Sequence, residues 1–201
     1  MALLADDEST DLHPTLQYQA GLHESQAARF VLDQCRDVDE AIKALRCAKQ
    51  YDNMFTCHYV VADRHGDAFV WERDSHNVEH VVRADHAPMC VTNYLMHRYA
   101  SLESLPHDDP NRQGAYPFAA NMYERARVLH RRAAAAIETA MDEVAIPQET
   151  VGARTLWRTT FDLEARSLSA TFYLGDAADG TAHRSPPVTC TLAASVGSDA
   201  R

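Results

Sequence analysis

The sequence predicts an α+β fold on two observations. Within residues 54–99, apolar and polar side chains alternate over three short runs separated by polar turn residues, which indicates an antiparallel meander. On either side, in residues 25–50 and 121–144, apolar residues recur at helical spacing. We therefore predict an antiparallel sheet flanked by helices.

The first helical segment predicts two helices, because its periodicity is interrupted near Asp37. We expect Asp37 to cap the second helix and Glu40, three residues on, to complete a variant of the capping box. The Ala- and Arg-rich residues 121–144 predict one long helix, which Pro147 brings to an end.

The strands of the meander are bounded by turn residues, and Gly66 lies where a tight turn favours positive φ. Trp71 and Trp157 lie in apolar strand runs and are predicted to anchor the core. One short run brings Thr92 and Asn93 to its carboxyl end, a place where functional sites are often built. The predicted strands are Cys57 to Ala62, Ala68 to Glu72, Val78 to Arg83, Met89 to Val91 and, as a later hairpin, Thr155 to Phe161 and Ser167 to Leu174.

Composition predicts one folded domain with a terminal extension at each end. The chain has 201 residues, 46% of them hydrophobic, which is enough for one sizeable core. Residues 1–19 are polar without a sustained period and predict a flexible arm, and 20–175 predict the domain. Residues 176–201 are small, polar and proline-bearing, and they predict a disordered tail.

Charge and hydropathy exclude several classes of partner. A formal net charge of -10 argues against nucleic acid, because phosphate binding needs clustered Lys and Arg. No run approaches the ~20 apolar residues of a membrane helix, so we expect no membrane partner. Five cysteines, an odd number without framework spacing, indicate a reducing compartment and predict a cytoplasmic protein.

The meander and the helices before it carry a recognisable succession of residues. Its residues are His58-Tyr59-Val60-Val61-Ala62-Asp63, Gly66, Glu72 and Val91-Thr92-Asn93, preceded by Arg29 to Cys35 and Val38 to Ala41. This succession is similar to the "HYLIAD, G, E, LTN" order of the N-terminal-nucleophile hydrolases that include choloylglycine hydrolases and penicillin acyltransferases, and the resemblance covers roughly residues 20–175. It implies a partial αββα sandwich, with an antiparallel sheet flanked by helices.

The resemblance implies an enzyme that cleaves or transfers an N-acyl group of a small-molecule amide, without a cofactor. Its nucleophile is a cysteine at the mature amino terminus, whose α-amino group takes the thiol proton. Asn93 matches the family asparagine, which suits an oxyanion donor. Arg125 matches the active-site arginine, although Met122 and Ala126 depart from the motif around it and Arg127 is a rival.

The nucleophile of the family has no counterpart at the start of this sequence. Removing Met1 would expose Ala2, which has no nucleophilic side chain. We therefore expect the chain to be the carboxyl part of such an enzyme. A sheet edge left unpaired by missing strands would favour self-association or association with a missing amino-terminal segment.

Internal cysteines are predicted to be inert. Cys35 and Cys47 are placed on the apolar stripe of a helix and Cys90 in a buried strand, where thiols pack as small hydrophobic groups. Cys57 precedes His58, so cleavage before it would create an amino-terminal cysteine, but that cut would sever the first meander strand from its helix. We expect Cys57 to be buried instead.

Several histidines and one glutamate in and near the meander are candidate ligands or hydrogen-bond partners. His76, His80 and His86 straddle a turn and a strand without a recognisable ligand pattern, so no metal site is predicted. His58 is predicted to be a packed, hydrogen-bonded histidine. Glu72 is predicted either to contact solvent at a strand end or to pair with Arg73 or a neighbouring strand.

Two functions remain open on the sequence alone. The chain is either part of an amide C-N hydrolase or acyltransferase whose cysteine comes from elsewhere, or a non-catalytic interaction module that keeps the fold. An Asn after a Val-Thr strand end is ordinarily a turn former, so Asn93 separates the two only through the family resemblance.

Overall fold

The computed structural model describes residues 1–5, 21–51, 56–84, 88–109, 121–133, 137–146 and 154–192. The chain divides into two compact units, Met1–Ala153 and Arg154–Arg201. Helices and antiparallel strands both occur, which confirms the predicted α+β class. No helix in these described ranges is long and apolar enough to cross a membrane.

The main sheet of the first unit has the strand order β1-β4-β5-β6, with antiparallel neighbours throughout. The meander prediction is therefore confirmed, to within one residue at each strand end. A separate short parallel pair, β2 and β3, lies outside this sheet. The strands are β1 Ala2–Ala5, β2 Gly21–His23, β3 Lys49–Tyr51, β4 Cys57–Ala62, β5 Ala68–Arg73 and β6 Glu79–Arg83.

Strand β1 corrects the prediction of a flexible arm. Residues 2–5 pair with β4 in register, Ala2 opposite Val60 and Ala5 opposite Cys57. A four-residue strand is too short to show an alternating pattern in the sequence. Its conformation depends on the backbone pairing with β4, which composition does not reveal. The remainder of the predicted arm, residues 6–19, lies outside the described residues.

The two turns of the meander are built on aspartates. Asp63 accepts hydrogen bonds from the N–H groups of His65 at 2.8 Å and Asp67 at 3.3 Å, and Gly66 takes the positive φ of 88° that its position favours. In the next turn Asp74 accepts hydrogen bonds from the N–H groups of His76 and Val78, each at 2.9 Å, and Asn77 has a φ of 61°. These turns fix the register of β4, β5 and β6.

Two helices separated by a break precede the meander, as predicted. Helix α1 spans Glu24–Gln34 and helix α2 spans Val38–Cys47. The Asp37 side chain accepts the Glu40 N–H at 2.9 Å, which confirms the predicted cap. Glu40 reaches back to the Arg36 N–H at 2.9 Å, so the capping box is displaced by one residue. The core of this unit joins both helices to the sheet through Ala27, Val31, Val38, Ala41, Ile42, Leu45, Tyr59, Val61, Phe69 and Trp71.

The predicted single helix over residues 121–144 is wrong. The structure has helix α3, Met122–Ala133, and helix α4, Ile137–Glu143. The Arg132 and Glu143 side chains form an ion pair at 2.9 Å, although a continuous helix would separate these residues by about 16 Å along its axis. Helix α4 therefore turns back along α3.

The second unit contains the predicted hairpin, now β7 Trp157–Asp162 and β8 Ser167–Asp176. Two further strands, β9 Ala182–Arg184 and β10 Val188–Thr191, both pair with β8. The prediction of a disordered tail over 176–201 is wrong for these residues. Trp157, predicted to anchor the core, is exposed, whereas Trp71 is buried as predicted.

Candidate functional site

Asn93 lies at the end of a segment that the sequence predicts to be a strand. Residues 89–91 form no strand in the structure and are half-buried. The segment nevertheless delivers Thr92 and Asn93 into buried positions, each 1% exposed. The predicted strand over Met89 to Val91 is therefore wrong.

A hydrogen bond ties this segment to helix α3. The Thr92 hydroxyl donates to the backbone carbonyl of Met122 at 2.9 Å, and Met122 is itself fully buried. Arg125 follows Met122 by three residues, so it lies on the same face of α3. Its Nη1 donates to Asn93 Oδ1 at 3.4 Å. The structure thus brings together the two predicted site residues, which are 32 positions apart.

The contact with Arg125 orients the Asn93 amide. A guanidinium only donates, so the atom facing it is the amide oxygen and the Nδ2 group lies on the other side of the amide. Burial lowers the pKa of Arg125, and the nearby Asp108 carboxylate opposes that shift. The side chain remains a cation at neutral pH, because an arginine is not deprotonated in proteins.

Asp108 also fixes the start of α3. Its carboxylate accepts the N–H groups of Tyr123 at 3.1 Å and Glu124 at 2.7 Å, two of the donors that a helix leaves unpaired at its amino terminus. The residue that caps this helix therefore comes from a distant part of the chain. Sequence inspection missed it, because capping patterns are sought next to the helix.

Arg127, the rival to Arg125, faces a different part of the molecule. Its Nη2 donates to the backbone carbonyls of Leu105 at 2.7 Å and Pro106 at 2.8 Å. These bonds attach α3 to the loop that precedes it. The contact with Asn93 is made by Arg125.

Glu72 forms a buried hydrogen-bond network that the sequence did not reveal. It is fully buried, and Oε2 contacts His58 Nδ1 at 2.8 Å and accepts the Met96 N–H at 3.1 Å. Oε1 accepts the His97 N–H at 2.6 Å and contacts His97 Nδ1 at 2.7 Å. The prediction that His58 is packed and hydrogen-bonded is confirmed, and Glu72 pairs with the neighbouring strand.

The electrostatics of Glu72 favour the carboxylate. Burial, the largest single influence, would raise its pKa, but the hydrogen bond and charge of His58 and the bonds from His97 together lower it. The turn at Asp63 could have indicated the contact with His58. Because Ala62 pairs with Ala68, the antiparallel register places residue 58 opposite residue 72.

The cysteines differ in placement or exposure from the prediction in three cases. Cys35, predicted on the apolar stripe of a helix, is half-buried and directly follows α1. Cys47, predicted to be a core thiol, is exposed, and Cys90, predicted in a buried strand, is half-buried outside any strand. Cys57 is buried in β4, as expected. Burial raises the pKa of the Cys90 thiol, and burial followed by the charges of Glu40 and Asp37 raises that of Cys35.

A cavity of about 390 Å³ lies beside the segment that carries Asn93. Its size is within the range of small-molecule sites. Cys90, three residues before Asn93, and Tyr94, directly after it, both contribute to its wall. Met96, Tyr99 and Leu102 make much of the remaining wall apolar, while Arg83, Glu103 and His130 add charge and polarity.

The histidines considered as ligands are dispersed by the fold. His76 is exposed on the turn between β5 and β6, and His86 lies outside the described residues. His80 instead approaches Asp74 and His97. The fold therefore brings His80 together with a turn residue, Asp74, and with a later histidine, His97.

Comparison with known proteins identifies the family. A family model described as acyl-coenzyme A:6-aminopenicillanic acid acyl-transferase matches residues 9–178. Among solved structures, a mutant of conjugated bile acid hydrolase from Clostridium perfringens matches with a TM-score of 0.65 and 13% identity, over 96% of this chain and 74% of that one. A second variant of the same hydrolase gives a TM-score of 0.62 and 12% identity over the same shares.

Penicillin V acylase from Agrobacterium tumefaciens matches with a TM-score of 0.56 and 20% identity, over 90% of this chain and 60% of that one. No curated protein matches the chain. The structural likenesses confirm the predicted α+β fold of the N-terminal-nucleophile hydrolases. By the match over residues 9–178, the chain belongs to the acyl-coenzyme A:6-aminopenicillanic acid acyl-transferase family.

Proposed function

We propose that the chain forms part of an enzyme that cleaves or transfers the acyl group of a linear amide, with Asn93 as an oxyanion donor. The observation that carries this proposal is the buried Asn93 amide, whose oxygen faces Arg125. A donor held in a buried place needs little reorganisation during the reaction, and such donors often provide the largest single term in acyl transfer.

In the proposed reaction a cysteine thiolate attacks the carbonyl carbon of the amide. The new C–S bond forms as the carbonyl π electrons move to oxygen, and Asn93 Nδ2 donates a hydrogen bond to the resulting oxyanion. When the oxyanion collapses, the C–N bond breaks and the amine leaves with the proton that the α-amino group had taken from the thiol. Water or a second amine then attacks the thioester, giving hydrolysis or acyl transfer.

Arg125 serves this reaction as a positioning residue. It holds Asn93 Oδ1 at 3.4 Å and is itself placed by α3, which Asp108 caps. A lysine at this position would keep the positive charge but would lack the planar array of N–H donors that a guanidinium provides.

We assign the nucleophile to an amino-terminal cysteine and not to Cys35, Cys57 or Cys90. The support is the state of the internal thiols: Cys57 is buried within the sheet, and burial raises the pKa of Cys35 and Cys90. A raised pKa reduces the thiolate fraction, and thiolate is the nucleophilic form. An α-amine titrates at about 7.7–8.0 and is suited to act as the base for an amino-terminal thiol.

The acyl group is proposed to be apolar and to occupy the cavity whose wall includes Tyr94, the residue after Asn93. The aromatic and methionine side chains of its wall suit a phenyl or alkyl group. The names of the similar proteins refer to a conjugated bile acid and to penicillin V, so these amides are the first substrates to test.

The test measures amine release from penicillin V and from a conjugated bile acid with a fluorogenic amine reagent. It uses the protein together with any segment that its natural reading frame places ahead of Met1. Asn93→Ala should lower kcat by about 10²–10³. Asn121→Ala, an exposed asparagine just before α3, is the matched control and should leave the rate unchanged.

A second pair of variants examines the arginine. Arg125→Ala should lower kcat, whereas Arg131→Ala, on the exposed surface of the same helix, should not. Thiol alkylation should abolish the activity. Amine release that Asn93→Ala leaves intact would overturn the assignment of Asn93. If the protein that includes any such preceding segment is folded but releases no amine from any N-acyl substrate, the result would favour the non-catalytic module.

A further inference from the structure

We propose that Asp74, His80 and His97 form a binding site for a divalent transition-metal ion. Each residue offers one ligand atom, and the three atoms lie within 4.8 Å of one another. The site is separate from Asn93 and Arg125 and does not depend on the proposed function.

Three elements of the first unit converge at this cluster. Asp74 follows β5 directly, His80 lies on β6, and His97 lies on a 3-10 helix, Met96–Arg98. The side chains of all three are partly buried, between 15% and 29% exposed, so an ion could reach them and lose most of its water. The fold thus gathers ligands that are up to 23 positions apart in the sequence.

The Asp74 carboxylate is held with one oxygen directed at the cluster. Oδ1 accepts the N–H groups of His76 and Val78, each at 2.9 Å, which leaves Oδ2 to contact His80 Nε2 at 3.1 Å. Asp74 Oδ2 is therefore the ligand atom that the turn directs toward His80.

Glu72 orients His97 as an outer carboxylate does in many metal sites. Its Oε1 lies 2.7 Å from His97 Nδ1 and also accepts the His97 N–H at 2.6 Å. A carboxylate bonded to Nδ1 selects the tautomer with its proton there, so Nε2 carries the lone pair that a metal needs. The buried Glu72 is thus a second observation pointing to a ligand, independent of the cluster itself.

The rings of His80 and His97 are stacked, with centroids 3.6 Å apart and planes within 1° of parallel. Because an imidazole lone pair lies in the ring plane, one ion cannot lie in both parallel planes. Binding therefore requires the His80 ring to rotate out of the stack, while His97 stays held by Glu72.

The donor set selects the class of ion. Two imidazoles and one carboxylate suit Zn²⁺ and related first-row ions, whereas Ca²⁺ and Mg²⁺ prefer oxygen ligands. The two carboxylates, Asp74 and Glu72, supply negative charge next to the ion. The bound ion would link β5, β6 and the 3-10 helix that begins three residues after Asn93.

The test titrates Zn²⁺ into chelator-treated protein by isothermal calorimetry. We expect the wild type to bind one ion, and Asp74→Asn and His80→Ala to weaken binding at least tenfold. Asn can still accept the turn hydrogen bonds through Oδ1, so Asp74→Asn removes charge without removing the turn. His76→Ala is the matched control, because His76 is exposed on the same turn, and it should bind as the wild type does.

Co²⁺ provides a spectroscopic measurement of the same site. Binding at Asp74, His80 and His97 should give visible ligand-field bands without the near-ultraviolet band of a cobalt-thiolate bond. Saturating Zn²⁺ should raise the Tm of the wild type but not that of His80→Ala. The proposal is overturned if binding is not saturable, if His80→Ala binds as tightly as the wild type, or if Co²⁺ reports thiolate ligands.

Discussion

Replacing Glu72 with glutamine removes one charge and changes one oxygen into a nitrogen at the centre of the buried network. Each carboxylate oxygen accepts one backbone N–H: that of His97 on Oε1 and that of Met96 on Oε2. A backbone N–H cannot reverse its role, whereas a histidine can change its tautomer. Whichever way the glutamine turns, its amide nitrogen therefore faces a backbone donor.

The magnitude follows from these contacts. One buried backbone donor left without an acceptor costs about 1–3 kcal/mol. The bonds to the remaining oxygen become neutral and lose about 1 kcal/mol each. Because the pKa of Glu72 is lowered despite its burial, the fold favours the charged form, and removing the charge gives no compensating relief. We expect Glu72→Gln to reduce the free energy of unfolding by about 3–5 kcal/mol.

Urea denaturation followed by tryptophan fluorescence measures this loss. The sequence has two tryptophans, so a Trp157→Phe background leaves Trp71, which is buried in β5 directly before Glu72, as the sole reporter. The midpoint should fall while the m-value stays constant. Chelator is present throughout, which keeps the result independent of bound metal.

Glu138→Gln, an exposed change on α4, is the control and should stay within about 0.5 kcal/mol of the parent. A loss below about 1 kcal/mol for Glu72→Gln would show that the carboxylate is not the acceptor of these four contacts, because it would be no larger than one ordinary hydrogen bond.

Three further predictions concern caps and thiols. Asp37→Ala should destabilise the protein by about 1 kcal/mol, measured by urea denaturation, because α2 loses its side-chain cap; no measurable loss would contradict this. Asp108→Ala removes two bonds from the start of α3 and should cost about 1–2 kcal/mol, with faster amide exchange in the first turn of that helix; unchanged exchange would show that the first turn is held by other contacts. In alkylation followed by mass spectrometry, exposed Cys47 should react in the native state and buried Cys57 only after unfolding. The rate at Cys90 should rise only above the pH range of an ordinary thiol, because burial raises its pKa, and fast labelling of Cys90 at neutral pH would contradict that burial.

The parts of the fold that could be predicted are those set by local chemistry. Asp63 and Gly66 fix one turn, and alternation on both sides fixes the strands, so β4 was placed with its observed bounds. Asp37 marks the start of α2 for the same reason. Short-range hydrogen bonds of this kind depend on residues within four positions of each other, which a single sequence displays.

The parts that could not be predicted depend on distant residues. Residues 121–144 contain no Gly or Pro. Nothing in the sequence therefore marks the change in chain direction between α3 and α4 that the Arg132 and Glu143 ion pair demonstrates. The cap of α3 comes from Asp108. The family motif singled out Asn93 and Arg125, which the structure brings into contact. The cluster at Asp74 depends on a strand register and on the position of a short helix, and periodicity gives neither.

Asn93 is held from two directions, and this explains why its position depends on the sheet. On one side Thr92 is bonded to the start of α3. On the other, Glu72 accepts the N–H groups of Met96 and His97, three and four residues after Asn93. Because Glu72 is also paired with His58 across the meander, a change in the β4–β5 register would move the segment that carries Asn93. The strands that resemble the family motif thus act as the support of the candidate site, and Glu72→Gln should disturb Asn93 without contacting it.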